Sequence, residues 1–154
     1  ESFNAIIFLT YKPTGRAKRE DIIESPHLLQ SFLDQVNNHN TTLKIGFDAC
    51  FVPILLKKAV VDNSMIDSCE CGFFSVYIDE KLNVSPCSFC NDKIYSYSLK
   101  KSSFKKIWQE TFSSYRKFVD EKSKLKCSDC EKSYDCRGQC PFFDELFLCD
   151  LVIE

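Results

Sequence analysis

The chain has 154 residues, 44% of them hydrophobic and 27% charged, and a net charge of −2. This is the make-up of one modest folded core, and it sets up no global field toward nucleic acid or anionic lipid. Ten cysteines beside only 4 glycines and 5 prolines argue against a small secreted disulfide scaffold. No apolar run approaches a membrane span, and the first ten residues lack the basic flank of an export signal.

The elements follow in chain order. Residue 1 is Glu and an apolar run begins at Phe3, so the chain is expected to be part of a longer polypeptide. Residues 3–11 (FNAIIFLTY) read as a buried strand, and residues 12–20 as a basic, turn-rich loop with Pro13 and Gly15. Ser25-Pro26 reads as N-cap and first helical residue of a helix with Leu28, Leu29, Phe32, Leu33 and Val36 on one face. Asn37 to Asn40 stop it. Residues 43–48 (LKIGFD) give a second strand, and strand–helix–strand order suggests a parallel α/β unit. Pro53 opens a short helix expected over 54–61.

Beyond residue 65 the composition shifts toward cysteine. Residues 73–79 (FFSVYID) and 83–85 read as a hairpin closed by Glu80-Lys81-Leu82, and 91–101 as a polar linker. Residues 102–122 carry Phe104, Ile107, Trp108, Phe112, Tyr115, Phe118 and Val119 at helical spacing, with Lys and Glu opposite. That aromatic face, Trp108 included, reads as core. Gly138 reads as a turn residue. Asp48, at a strand end, and Arg16, in the first loop, read either as groups at a functional strand end or as plain surface.

The cysteines carry the chemistry. Cys127, Cys130, Cys136 and Cys140 are separated by two, five and three residues, and Cys149 follows; Cys87 and Cys90 form another Cys-x2-Cys turn. In a reducing cytoplasm, the expected compartment, thiols spaced so closely point to metal. Soft thiolates select zinc, copper(I) or iron–sulfur clusters. The two histidines, His27 and His39, fall in the first helix and its polar end. This disfavours a mixed Cys/His zinc site and leaves all-Cys zinc and iron–sulfur open.

Cys69 is followed after twelve residues by Leu82, and after four more by Cys87. Together with the 127–140 block and Cys149, this resembles the SPASM domain of radical S-adenosylmethionine (radical SAM) enzymes. Its pattern is Cys-x9–15-Gly-x4-Cys, then Cys-x2-Cys-x5-Cys-x3-Cys, then a last Cys. Ser98-Leu99…Ile107-Trp108 resembles the helix that such domains place between the two blocks. Tyr11-Lys12-Pro13-Thr14-Gly15-Arg16 and Phe47-Asp48-Ala49-Cys50 resemble late strands and loops of a radical SAM barrel. Leu82 departs from the pattern's Gly, so a left-handed turn is disfavoured there. Cys71 stands where a small residue is usual.

The resemblance implies an α/β fold. Residues 1–65 would be the terminal strand–helix–strand part of a partial TIM-like barrel, and 66–154 a small α+β SPASM domain. It implies two auxiliary [4Fe–4S] clusters, one on Cys127, Cys130, Cys136 and Cys149, the other on Cys69, Cys87, Cys140 and a fourth thiolate. Cys50 is the candidate for that fourth place; Cys71, Cys90 or an open iron site are its rivals. No Cys-x3-Cys-x2-Cys triplet occurs. The cluster that cleaves S-adenosylmethionine is therefore expected in an N-terminal barrel portion outside this chain. The implied function is electron transfer or substrate anchoring during modification of a peptide or protein, with no nucleic-acid or membrane partner. The alternative is an all-Cys zinc-binding interaction module without catalysis.

Overall fold

The computed structural model describes residues 3–40, 42–59, 62, 66–90, 93–138, 140–146 and 148–151. It is a mixed α/β structure in two compact units, one made of residues 1–69 with 130–154, the other of residues 70–129. Among the described residues no helix is long and apolar enough to cross a membrane.

In the first unit, β1 (Ala5–Phe8) and β2 (Lys44–Phe47) pair in parallel, Ala5 opposite Lys44 and Phe8 opposite Phe47. The crossover between them is α1 (Pro26–Asn37), which gives the expected parallel unit. Ser25 caps α1, its Oγ accepting the Leu28 N–H at 3.4 Å, and Pro26 fills the first turn. At the far end the Asn38 side chain donates to Asp34 O at 2.8 Å. Leu29 and Leu33 are buried and join Ile54, Leu148 and Phe51 in one core cluster. Leu28, placed on the same face by its spacing, is 64% exposed. Phe8, Phe32, Phe47 and Phe51 pack ring against ring at centroid distances of 5.0 to 6.2 Å.

The expected buried strand over 3–11 is corrected. Only residues 5–8 form a strand, and Phe3, Ile7 and Leu9 are 81, 60 and 71% exposed. β2 is its only pairing partner among the described residues, so one strand edge stays open and only Phe8 reaches the aromatic cluster. Helix α2 (Val52–Lys58) starts earlier and stops sooner than expected, Ala59 already being extended. Residues 60 and 61 of the expected helix lie outside the described residues. Its first five residues are all buried. It packs on α5 (Ser133–Cys136) and on the 3-10 turn Leu148–Leu151.

The second unit holds an antiparallel sheet of β3 (Tyr77–Ile78), β4 (Asn83–Ser85) and β5 (Tyr97–Ser98), in that order. The first hairpin strand is much shorter than the expected 73–79. Its start is used for a tight reversal in which Phe73, Phe74 and Ser75 N–H all donate to Glu70 O, at 2.9 to 3.2 Å. Gly72, at φ +75°, makes that reversal possible. The polar linker is corrected as well, since β5 pairs with β4 and Tyr95 is buried against Tyr115 and Phe118.

Leu82 adopts φ +63°. The left-handed turn is therefore kept although the residue is not glycine. Asp79 holds it, its Oδ1 accepting the N–H of Lys81 (2.9 Å) and Asn83 (2.7 Å) while Oδ2 takes the Asn83 amide at 2.8 Å. These hydrogen bonds hold the Asp79 carboxyl below the usual carboxylate range.

The aromatic helix begins at a Ser103 cap, runs as α3 (Phe104–Lys106), widens into a π turn over Ile107–Thr111, and continues as α4 (Phe112–Cys127). The buried residues Ile107, Phe112, Tyr115 and Val119 are spaced five, three and four apart. A regular α-helix would turn a five-residue step off the buried face, and the π turn restores it. The helix also runs past the expected end at Lys122 to Cys127, because Lys, Ser and Leu contain no helix breaker. Arg116 ties the helix to the reversal, donating to Gly72 O at 2.7 Å and Trp108 O at 2.8 Å with its guanidinium over the Trp108 ring.

Candidate metal centre

All ten cysteines are free thiols. Six lie in the first unit (Cys50, Cys69, Cys130, Cys136, Cys140, Cys149) and four in the second (Cys71, Cys87, Cys90, Cys127). Among the described residues no group of three or more His, Cys, Asp or Glu gathers as ligands of one metal ion. A four-iron cluster takes one thiolate on each of four irons, so its ligands stand farther apart than four thiolates on one ion. The cysteine relations within each unit are pairwise.

In the first unit the parallel strands end at Phe8 and Phe47, so the residues just after them share one sheet end, the end where open α/β sheets carry their sites. Asp48 follows β2 and its N–H bonds Phe8 O at 3.0 Å. Its Oδ1 accepts from Thr10 Oγ1 (2.7 Å) and from the Cys50 N–H (3.2 Å), and its Oδ2 from Lys12 Nζ (2.6 Å). Lys12 Nζ also donates to Thr10 O at 3.2 Å. Burial alone would lower the Lys12 pKa; the Asp48 hydrogen bond and the charge at Cys50 outweigh it and hold the ammonium above its ordinary range.

Cys50 is hydrogen-bonded sulfur to sulfur with Cys140. That bond and then burial push the Cys50 thiol up, and the same bond pulls Cys140 down. Cys140 also accepts the Phe142 and Phe143 N–H groups, and the charge of Cys69 is close enough to act on it. Cys140 therefore interacts with each of Cys50 and Cys69. Arg137, in the left-handed region at φ +51°, donates to Cys69 O at 3.3 Å.

Cys136, on α5, is buried, and burial pushes its thiol up. The Gly138 N–H donates to its sulfur at 3.2 Å, with Gly138 at φ +75°, the turn conformation expected of it. Cys130 is exposed and near enough for its charge to act on Cys136. The Cys149 carbonyl accepts Lys57 Nζ at 3.5 Å.

In the second unit the Cys87-x2-Cys90 turn is closed by the Cys90 N–H on Cys87 O (3.1 Å), and the Phe89 N–H donates to the Cys87 sulfur at 3.4 Å. Cys127 is buried on the last turn of α4. Cys71 sits in the tight reversal, its backbone bridged to Ser75.

Backbone N–H groups thus point at the sulfurs of Cys87, Cys136 and Cys140. A thiol is a weak acceptor, whereas a metal thiolate needs such donors to spread its charge. The donor set fits iron–sulfur ligation. Sequence reading alone missed Lys12, Thr10, Phe142 and Phe143. The available signal for the first two was their place just past a strand that ends beside β2.

Residues 69–131 match the family model of the SPASM iron–sulfur cluster-binding domain. Cys69, Cys71, Cys87, Cys90, Cys127 and Cys130 lie in the matched stretch, while Cys50, Cys136, Cys140 and Cys149 lie outside it. No curated protein matches the chain. No solved structure matches it either.

Proposed function

We propose that this chain is the auxiliary-cluster region of a radical SAM enzyme, a class in which SPASM domains occur, and that it holds two [4Fe–4S] clusters. The observation that carries the reading is the match of residues 69–131 to an iron–sulfur cluster-binding domain. The backbone N–H groups aimed at Cys87, Cys136 and Cys140 support it. One cluster takes Cys127, Cys130, Cys136 and Cys149. The other takes Cys69, Cys87 and Cys140, with Cys50 fourth, a choice supported by the sulfur–sulfur hydrogen bond between Cys50 and Cys140.

When bound, such clusters supply one-electron chemistry or an anchoring point for substrate. The chain's own part is to present thiolates, to direct backbone donors at them and to shield them. The parallel β1–α1–β2 unit would be the last part of a partial TIM-like barrel. Its substrate would be a peptide or protein, modified in the cytoplasm by a radical that the enzyme's S-adenosylmethionine-cleaving portion generates.

Ligand variants of the anaerobically reconstituted chain test the assignment. Cys136→Ala and Cys140→Ala each lose about half of the iron, about four per chain, by removing different clusters, whereas Cys71→Ala and Cys90→Ala keep it all. Full iron in Cys136→Ala, or equal losses in Cys90→Ala, would overturn it.

A further inference from the structure

We propose that Asp48 is a positioning residue for the cluster that Cys50 shares with Cys140: its carboxylate closes the turn that carries Cys50 and fixes that ligand before iron arrives. The inference rests on the reading in which Cys50 is that cluster's fourth ligand.

Cys50 lies in the turn Asp48 to Phe51, between β2 and α2, which the Phe51 N–H closes on Asp48 O at 3.0 Å. Aspartate suits the first place of such a turn because its side chain can accept the N–H two residues on. Asp48 does so, its Oδ1 taking the Cys50 N–H at 3.2 Å. The carboxylate is itself held. Its Oδ1 also accepts Thr10 Oγ1 at 2.7 Å, and its Oδ2 accepts Lys12 Nζ at 2.6 Å. Lys12 Nζ is anchored on Thr10 O at 3.2 Å, and the Asp48 N–H on Phe8 O at 3.0 Å. Thr10 and Lys12 follow β1 whereas Cys50 follows β2, so the end of the paired strands sets where the turn stands. The Lys12 and Asp48 side chains are only 13% and 18% exposed, so water screens them far less than it would a surface pair. The far end of the turn is fixed by packing, Phe51 lying against the Phe32 and Phe47 rings at 5.9 and 5.5 Å. Cys50 is thus carried between two anchored residues. A ligand fixed in advance loses less freedom on binding, and partners that orient metal ligands contribute about tenfold to a hundredfold in metal affinity.

The test compares two double variants that both lack the Lys12 charge, so that neither leaves a shielded ammonium without its carboxylate. Lys12→Met/Asp48→Asn keeps a carbonyl oxygen in the place of Oδ1, and Lys12→Met/Asp48→Ala has none. Each full chain is reconstituted anaerobically and titrated with an iron chelator for equal times. Iron release is followed by visible absorption, and circular dichroism is recorded on the same samples. The half of the iron held with Cys50 and Cys140 leaves the Ala variant at a chelator concentration about tenfold lower than the Asn variant. The other half leaves both at the same concentration. In the Cys136→Ala background, which keeps only the Cys50 cluster under the proposed assignment, the shifted half is the one that remains. If the Ala variant does not fold, Lys12→Met/Asp48→Leu, which lacks the acceptor but fills the space, takes its place. Equal release from the Asn variant and the variant without an acceptor would overturn the role of Asp48. The ligand assignment would still stand if Cys50→Ala loses that half of the iron. A shift of both halves, or failure of the Ala and Leu variants to fold, would make Asp48 a structural prop and also overturn the role. Full iron in Cys50→Ala would remove the reading of Cys50 as a ligand, and this inference with it.

Discussion

Gly72→Ala is expected to unfold the second unit at temperatures where the parent is intact. Gly72 sits at φ +75°, and a Cβ there would come within 2.5 Å of Tyr115 Cδ1, closer still to Cε1, and 3.2 Å from Pro86 Cβ. None of these neighbours can yield cheaply, because Tyr115 and Pro86 are among the fully buried side chains. Left-handed backbone costs a residue with a Cβ about 1–2 kcal/mol, and overpacking adds about 1–3 kcal/mol, so the loss is roughly 3 kcal/mol. For a unit of this size that lowers the melting temperature by about 15 °C. Adding Tyr115→Phe does not rescue it, since the clash is with ring carbons that Phe keeps. Gly46 gives the contrast. Its added Cβ would meet only Ile7 Cδ1, at 2.7 Å, the free end of a side chain that is 60% exposed and can rotate away. Thermal melts followed by circular dichroism check both, and a Gly72→Ala variant as stable as Gly46→Ala would show that the reversal is not packed as described.

Metal removal is the second large effect. The ligand-bearing segments contain little structure able to stand alone. Residues 133–136 form a four-residue helix, and 144–146 and 148–151 single 3-10 turns. Helices of one turn are not stable in water without tertiary support. Part of that support is apolar, since Cys136 packs with Val52 and Leu56, and Leu148 with Leu29, Leu33 and Ile54. The remainder is assigned to thiolate–metal bonds, which contribute to folding because the ligands come together only in the folded chain. Chelating the iron from the reconstituted protein is expected to abolish amide protection over residues 128–151 while the hydrogen-bonded β1–β2 pairing keeps its own. Unchanged protection and an unchanged melt after chelation would contradict this.

The capped helix α1 and the parallel strand pair were legible because Ser25-Pro26 and the apolar runs are local signals with a local physical cause. The extent of β1 burial was not legible. An apolar run shows that a strand can be covered, but which faces are covered depends on what packs there, and β1 has one strand partner among the described residues. The π turn escaped detection because Ile107, Trp108, Phe112 and Tyr115 satisfy an α-helical pattern approximately. Only their burial reveals the five-residue step. Leu82 shows the reverse case: residue preference argued against a left-handed turn, and the hydrogen bonds to Asp79 override it. For the candidate centre, spacing singled out the cysteines, but nothing local could reveal that the thiols of Cys50 and Cys140, ninety residues apart in sequence, act on each other. Lys12 was equally hidden, since a lysine in a basic loop looks solvated until Asp48 is placed opposite it.

The central claim is that these thiols hold two [4Fe–4S] clusters. Its most direct test is metal and sulfide analysis of the full chain after anaerobic reconstitution, read beside the visible spectrum. About eight irons and eight sulfides per chain, with broad brown charge-transfer absorption that bleaches on reduction, are predicted. A colourless protein carrying stoichiometric zinc and no sulfide would contradict it.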